Sequence, residues 1–124
     1  RYQQALAWAE TAFRHNDEYR ILNTLGVARY RAAQFQQAAA ALSEAHQYSS
    51  RVDVPHSAAV ADLAFLAMAH WQLGQRDEAR DVLVRLRQFV QNNTTTDVSE
   101  LSRSFLAEAE ALIELETDES ALPR

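Results

Sequence analysis

No cysteine occurs in this chain, so neither disulfides nor thiolate chemistry contribute to it. That absence fits a reducing cytoplasm, the favoured compartment, without fixing one. Helix breakers are equally scarce: the 124 residues include 2 Gly and 2 Pro. Basic charge is in deficit. The formal net charge is -5, with both signs interspersed, so no positive stripe offers itself to phosphates and nucleic acid is not an expected partner. Apolar runs fall short of the ~20 residues that span a bilayer, and no signal-peptide pattern opens the chain. A soluble segment without membrane insertion is expected.

Catalytic motifs are missing as well. The histidines His15, His46, His56 and His70 lie in four different segments, and none has the spacing of a metal-ligand motif. There is no glycine-rich phosphate loop and no nucleophile elbow. The acidic neighbours Asp77 with Glu78, and Glu108 with Glu110, read as solvated helix faces rather than an acid and base couple. No enzyme activity, metal or cofactor is therefore expected. The chain begins at Arg1, within a helix already under way, and is read as a piece of a longer protein.

What is present is alanine, leucine, glutamine, arginine and glutamate, with a hydrophobic fraction of 48%. This composition favours helix over sheet, and the length allows one modest domain with a continuous core. The stretches LGVARYRAAQFQQAAAAL from Leu25 and LAMAHWQLGQRDEARDVL from Leu66 overlay without a gap at an offset of 41 residues. The overlay pairs Leu25 with Leu66, Ala28 with Ala69, Tyr30 with Trp71, Ala33 with Gly74, Ala38 with Ala79 and Leu42 with Leu83. Self-similarity at such a period marks a repeat array, whose units bury their apolar faces only against their neighbours.

The periodicity predicts about six helices. The first runs from Arg1 to about His15, with Tyr2, Leu6, Ala9 and Phe13 on one face. Asn16 or Asp17 is the expected N-cap of a second, to about Ala32; the third covers Gln34 to Tyr48. The segment Ser49 to Ser57 reads as a loop. A fourth helix follows from Pro55 or His56 to Leu73, ended by Gly74 in the left-handed position, and a fifth from Asp77 to about Gln91. Asp97 and Glu100 have the spacing of a capping-box variant before a sixth helix to about Glu116, and the acidic end is expected to fray. The apolar set of the last helix, Val98, Leu101, Phe105, Leu106, Ala109, Leu112 and Ile113, makes one broad stripe suited to a terminal cap.

These residues resemble the tetratricopeptide repeat, a helix-turn-helix unit of about 34 residues with a W-x2-L-G-x2-Y signature and a later A-x3-F. In the first unit Leu22 stands at the family's Trp place, and Leu25 with Gly26 supplies the L-G pair. Phe35 opens the second helix, and Ala38, Leu42 and Ala45 take packing places. Leu63, Leu66, Ala67, Gly74, Ala79, Leu83 and Leu86 fill the second unit. The resemblance implies an all-α, right-handed helical-hairpin solenoid, of the type found in bacterial multidomain proteins. One domain covers 1–124: a truncated unit's second helix over 1–16, repeats over 17–50 and 55–92, a capping helix over 97–117 and a frayed tail over 118–124. Gly26, Ala38 and Ala79 are expected where helix backbones approach closely.

By the same resemblance, the first helices of the hairpins line a concave groove for a peptide or partner helix. Projection of that face gives Arg20, Asn23, Val27, Tyr30 and Arg31, then Ala61, Ala64, Met68, Trp71 and Gln72. Arg20 and Arg31 would hold an acidic group. Tyr30, Met68 and Trp71 either line the groove or pack between repeats. The implied function is a non-catalytic protein-protein interaction or scaffolding module. The alternatives are self-association through the opening half-unit and a regulatory appendage of an upstream enzyme such as a serine/threonine kinase.

Overall fold

The computed structural model describes the backbone of residues 2–49, 56–92 and 100–121, and the side chains of 17–49, 57–92 and 100–114. Five helices account for the described backbone: α1 Tyr2–Arg31, α2 Phe35–Ser49, α3 His56–Gln72, α4 Arg76–Asn92 and α5 Glu100–Ala121. The fold class is all-α. The expected helix start at Asp97 and the core of the Ser49–Ser57 loop lie outside the described residues.

Five replace the expected six because α1 runs unbroken through Asn16 and Asp17. Asn and Asp are middling helix formers rather than breakers, and α1 contains no Pro. Asp17, instead of capping a new helix, pairs with Arg20 one turn on at 2.6 Å.

The two hairpin turns are built from the same hydrogen bonds. Ala33 N–H donates to Tyr30 O at 2.9 Å and Gln34 N–H to Arg29 O at 2.8 Å. Forty-one residues on, Gly74 N–H donates to Trp71 O at 3.1 Å and Gln75 N–H to His70 O at 2.9 Å. This pair of bonds is a Schellman motif, which needs a left-handed residue just after the helix. Gly74 supplies it with φ 79°, and Ala33 adopts the same conformation with φ 62°. Each turn then starts the next helix alike, Gln34 O accepting from Ala38 N–H and Gln75 O from Ala79 N–H.

Helix α3 is the centre. Every residue from Ala59 to Ala69 is buried, as befits a helix that is apolar all round. It packs against each of the other four helices, while α1 pairs with α2 and α4 with α5. Leu42, Val60, Phe65, Met68, Leu86 and Ile113 are the bulk of the fully buried core. Leu42 lies against Gly26: a Cβ added there would come within 2.5 Å of Leu42 Cγ, so glycine is what lets α1 and α2 close. Ala38, Leu66, Ala79 and Leu83 are buried as expected of packing residues.

Leu25 departs from that expectation, at 39% exposure against 5% for its counterpart Leu66. Gly26 is the residue that meets α2 on this outer helix. Leu25, turned about 100° from it, points away from α2, whereas Leu66 has neighbours on every side of α3.

Candidate functional site

Helices α1 and α5 both lie on α3 and, among the described residues, do not pack on each other, leaving an open cleft of about 500 Å³. Asn23, Thr24, Val27 and Ala28 make one wall, Leu101 and Phe105 of α5 the other, and Ser57, Ala58 and Ala61 of α3 the floor. The floor side chains are small. This volume falls in the roughly 300–1,000 Å³ range of ligand clefts.

A bridge ties the two walls. Arg31 donates to both carboxylate oxygens of Glu108, at 2.7 and 2.9 Å. Its guanidinium also lies over the Phe65 ring, 5.0 Å from the centroid. Those hydrogen bonds, ahead of a small opposing desolvation, hold the Arg31 guanidinium more firmly charged than usual. Beneath the bridge Phe65 meets Tyr30 and Phe105 edge-on, at centroid distances of 5.4 and 5.5 Å. On its other flank α5 is held by Arg87, which donates to Glu110 at 2.7 Å and also to Glu114. Glu108 and Glu110, expected to be solvated faces, each pair with an arginine of a neighbouring helix while staying about a third exposed, and the buried Ala109 and Ile113 hold α5 in place.

Behind the Asn23 wall lies a buried carboxylate. Asp62 is wholly inaccessible, and its two oxygens accept from Tyr19 Oη at 2.7 Å and Asn23 Nδ2 at 2.6 Å. Asn23 Nδ2 also reaches Ala58 O at 3.4 Å. Among the described residues no cation stands against Asp62. Burial pushes its carboxyl up to about 6, against the downward pull of the hydrogen bonds from Asn23 and Tyr19. Tyr19 is held in its protonated form, first by burial and then by the Asp62 charge and hydrogen bond.

The structure divides the groove residues read from the sequence into two groups. Asn23, Val27 and Ala61 come together in the cleft, and Arg31 bridges one wall to the other. Ala64, Met68 and Trp71 do not join them. They are 0%, 1% and 3% exposed, inside the core, because α3 packs against all four other helices. The Trp71 ring instead carries the guanidinium groups of Arg76 and Arg80, at 4.4 and 5.6 Å. Tyr30 is half-buried against Phe35 and Phe65, which makes it a packing residue. Arg20 and Arg31, expected to hold an acidic ligand, already hold Asp17 and Glu108. Gln72 is exposed at the end of α3, away from the cleft lining.

Tyr19, Asp62 and the α5 wall were missed in the sequence. Asp62 did leave a signal, as the single charged residue of the apolar run from Ala58 to Ala69. The α5 wall residues Leu101 and Phe105 stood in the apolar stripe of the last helix, but that they would face α1 arises only when distant segments meet.

No group of His, Asp or Glu among the described residues is arranged to hold a metal ion. Nor is any described helix long and apolar enough to cross a membrane. Compared with protein-family models, curated proteins and solved structures, the chain matches none of them.

Proposed function

We propose that this chain is a tetratricopeptide-like helical-hairpin repeat module with α5 as its cap. It binds a segment of a partner protein in the cleft between α1 and α5 and acts without chemistry of its own. The observation that carries the reading is the cleft itself: an open, largely apolar trough with a floor of small side chains, walled by two helices that are bridged by Arg31 and Glu108. A floor of Ala58, Ala61 and Ser57 admits the side chains of an incoming peptide or helix, the helix-in-groove mode of recognition. The two Schellman turns, related at the 41-residue offset, support the repeat assignment.

Filling the cleft tests this. Ala28 is exposed at the cleft wall, so Ala28→Trp obstructs the trough without entering the core. Capture from lysate of the source cells is expected to recover a partner with the wild-type chain and to lose it with Ala28→Trp, while helicity and melting stay unchanged. Equal capture by both chains would move the working surface elsewhere.

A further inference from the structure

Resting on that reading, we propose that the cleft selects a cationic partner segment: aliphatic side chains for the trough and a lysine or arginine head directed to the Asn23 wall, where the buried Asp62 charge goes unmatched. The charges around the cleft lead there by cancellation. Arg20 and Arg31 share the cleft side of α1, one turn apart from Thr24 and Val27, and each is paired, with Asp17 at 2.6 Å and Glu108 at 2.7 Å. Asp62, the charged residue that is buried, has no counter-charge among the described residues; hydrogen bonds from Tyr19 and Asn23 are its support.

Asn23 connects that charge to the cleft. It lines the wall, and both of its hydrogen bonds use the amide nitrogen pointing to Asp62 and Ala58. Its carbonyl oxygen receives no donor among the described residues, so the wall offers an acceptor backed by a negative charge. A carboxylate screened by protein rather than water acts strongly on charges a few ångströms away. Lys and Arg suit such a place because their long apolar stems lie along Val27, Ala58 and Phe105 while the head reaches the polar wall. An acidic segment meets the same field with the wrong sign. The selection is therefore opposite to the one the two arginines suggest in the bare sequence.

Two synthetic helical peptides of about four turns test the proposal, one of Leu, Ala and Lys, the other with Glu at every Lys place. Binding is measured near neutral pH at about physiological salt, and the site is mapped by methyl shifts of Val27, Ala58, Ala61 and Leu101. The lysine peptide is expected to bind at these methyls at least about tenfold more tightly than the glutamate peptide. Asp62→Asn keeps the amide's acceptor and the side chain's size and should remove most of that preference. Asp77→Asn removes the same unit of charge from an exposed site on α4 and should change affinity by less than about twofold, which separates a local field from the net charge of the chain. Should Asp62→Asn fail to fold, Leu101→Lys supplies the second variant, since Leu101 is 54% exposed at the cleft wall. It is expected to abolish lysine-peptide binding and strengthen the glutamate peptide. Equal binding of both peptides at the cleft, or equal effects of the Asp62 and Asp77 variants, overturns the charge selection and leaves the cleft as a partner site. Binding of neither peptide at these methyls overturns both.

Discussion

The two hairpins carry the same turns, yet their leading helices meet different fates. At the 41-residue offset Tyr19 answers to Val60, Asn23 to Ala64 and Val27 to Met68. On α3 all three are buried, with α1 on one side and α5 on the other. On α1, Asn23 and Val27 remain at an open wall, and the Tyr19 hydroxyl and the Asn23 amide nitrogen turn to Asp62. Local sequence thus sets the hairpin, whereas position in the stack sets which face becomes a site. An outer helix keeps the surface that a central one buries.

The largest test of this parallel is at the inner contact of each hairpin. Leu42→Ala and Leu83→Ala should each cost about 2 to 5 kcal/mol, since both side chains are buried where hairpin partners meet. Urea unfolding measures it. Gly26 and its counterpart Ala67 sharpen the comparison. Gly26→Ala alone should cost about 1 to 2 kcal/mol, crowding against Leu42 outweighing the gain in helix propensity. In the Leu42→Ala background the added methyl should instead be neutral or stabilising, because the atoms that it meets are gone. Additive effects in that cycle would deny the close approach.

Next in size is a pH effect that belongs to the α1–α3 joint alone. The Asp62 carboxyl lies at about 6 against an ordinary 3.8, so the folded state binds its proton more tightly than the unfolded state does. Its penalty is fully present above about pH 6 and is relieved as pH falls toward 4. The relief amounts to about 2 to 3 kcal/mol. Asp62→Asn removes the titrating group, so the stability of the variant relative to wild type should fall by that amount from neutral pH to pH 4. A pH-independent difference would mean that Asp62 is solvated in the folded chain.

The smallest expected effects have opposite signs in the two turns. Gly74→Ala imposes a side chain on a left-handed residue and should destabilise by about 1 kcal/mol, although nothing lies within 4 Å for that side chain to strike. Ala33→Gly relieves the same strain and should stabilise by about 0.5 to 1 kcal/mol. Thermal melts of the pair decide it, and effects of equal sign would show that the turns are not equivalent.

Much of the architecture was legible in the sequence. The offset pairs Ala33 with Gly74, and alanine and leucine spacing locates α2, α3 and α4 within a residue or two. The break expected at Asn16 was not, because a residue that caps a helix when the chain turns also sits in one when it does not. Ala64 lies in the core rather than in the expected groove for a different reason, and Met68 and Trp71 take the packing place that the sequence left open beside the groove. The spacing of Ala64, Met68 and Trp71 defines a face of α3 but not what covers it.

By itself the sequence determined the helical class, the hairpin register and the left-handed residue at Gly74, all of which arise from residues within a few positions of one another; the left-handed Ala33 came only with the structure. Only the tertiary structure decided that α5 would cover α3, that Arg31 would clasp Glu108 rather than a ligand, and that Asp62 would be buried beside an open cleft. Those outcomes depend on contacts between residues 35 to 77 positions apart, such as Asn23 with Ala58 and Arg31 with Glu108. Helical periodicity marks which residues share a face; the packing of separate helices determines which face stays open.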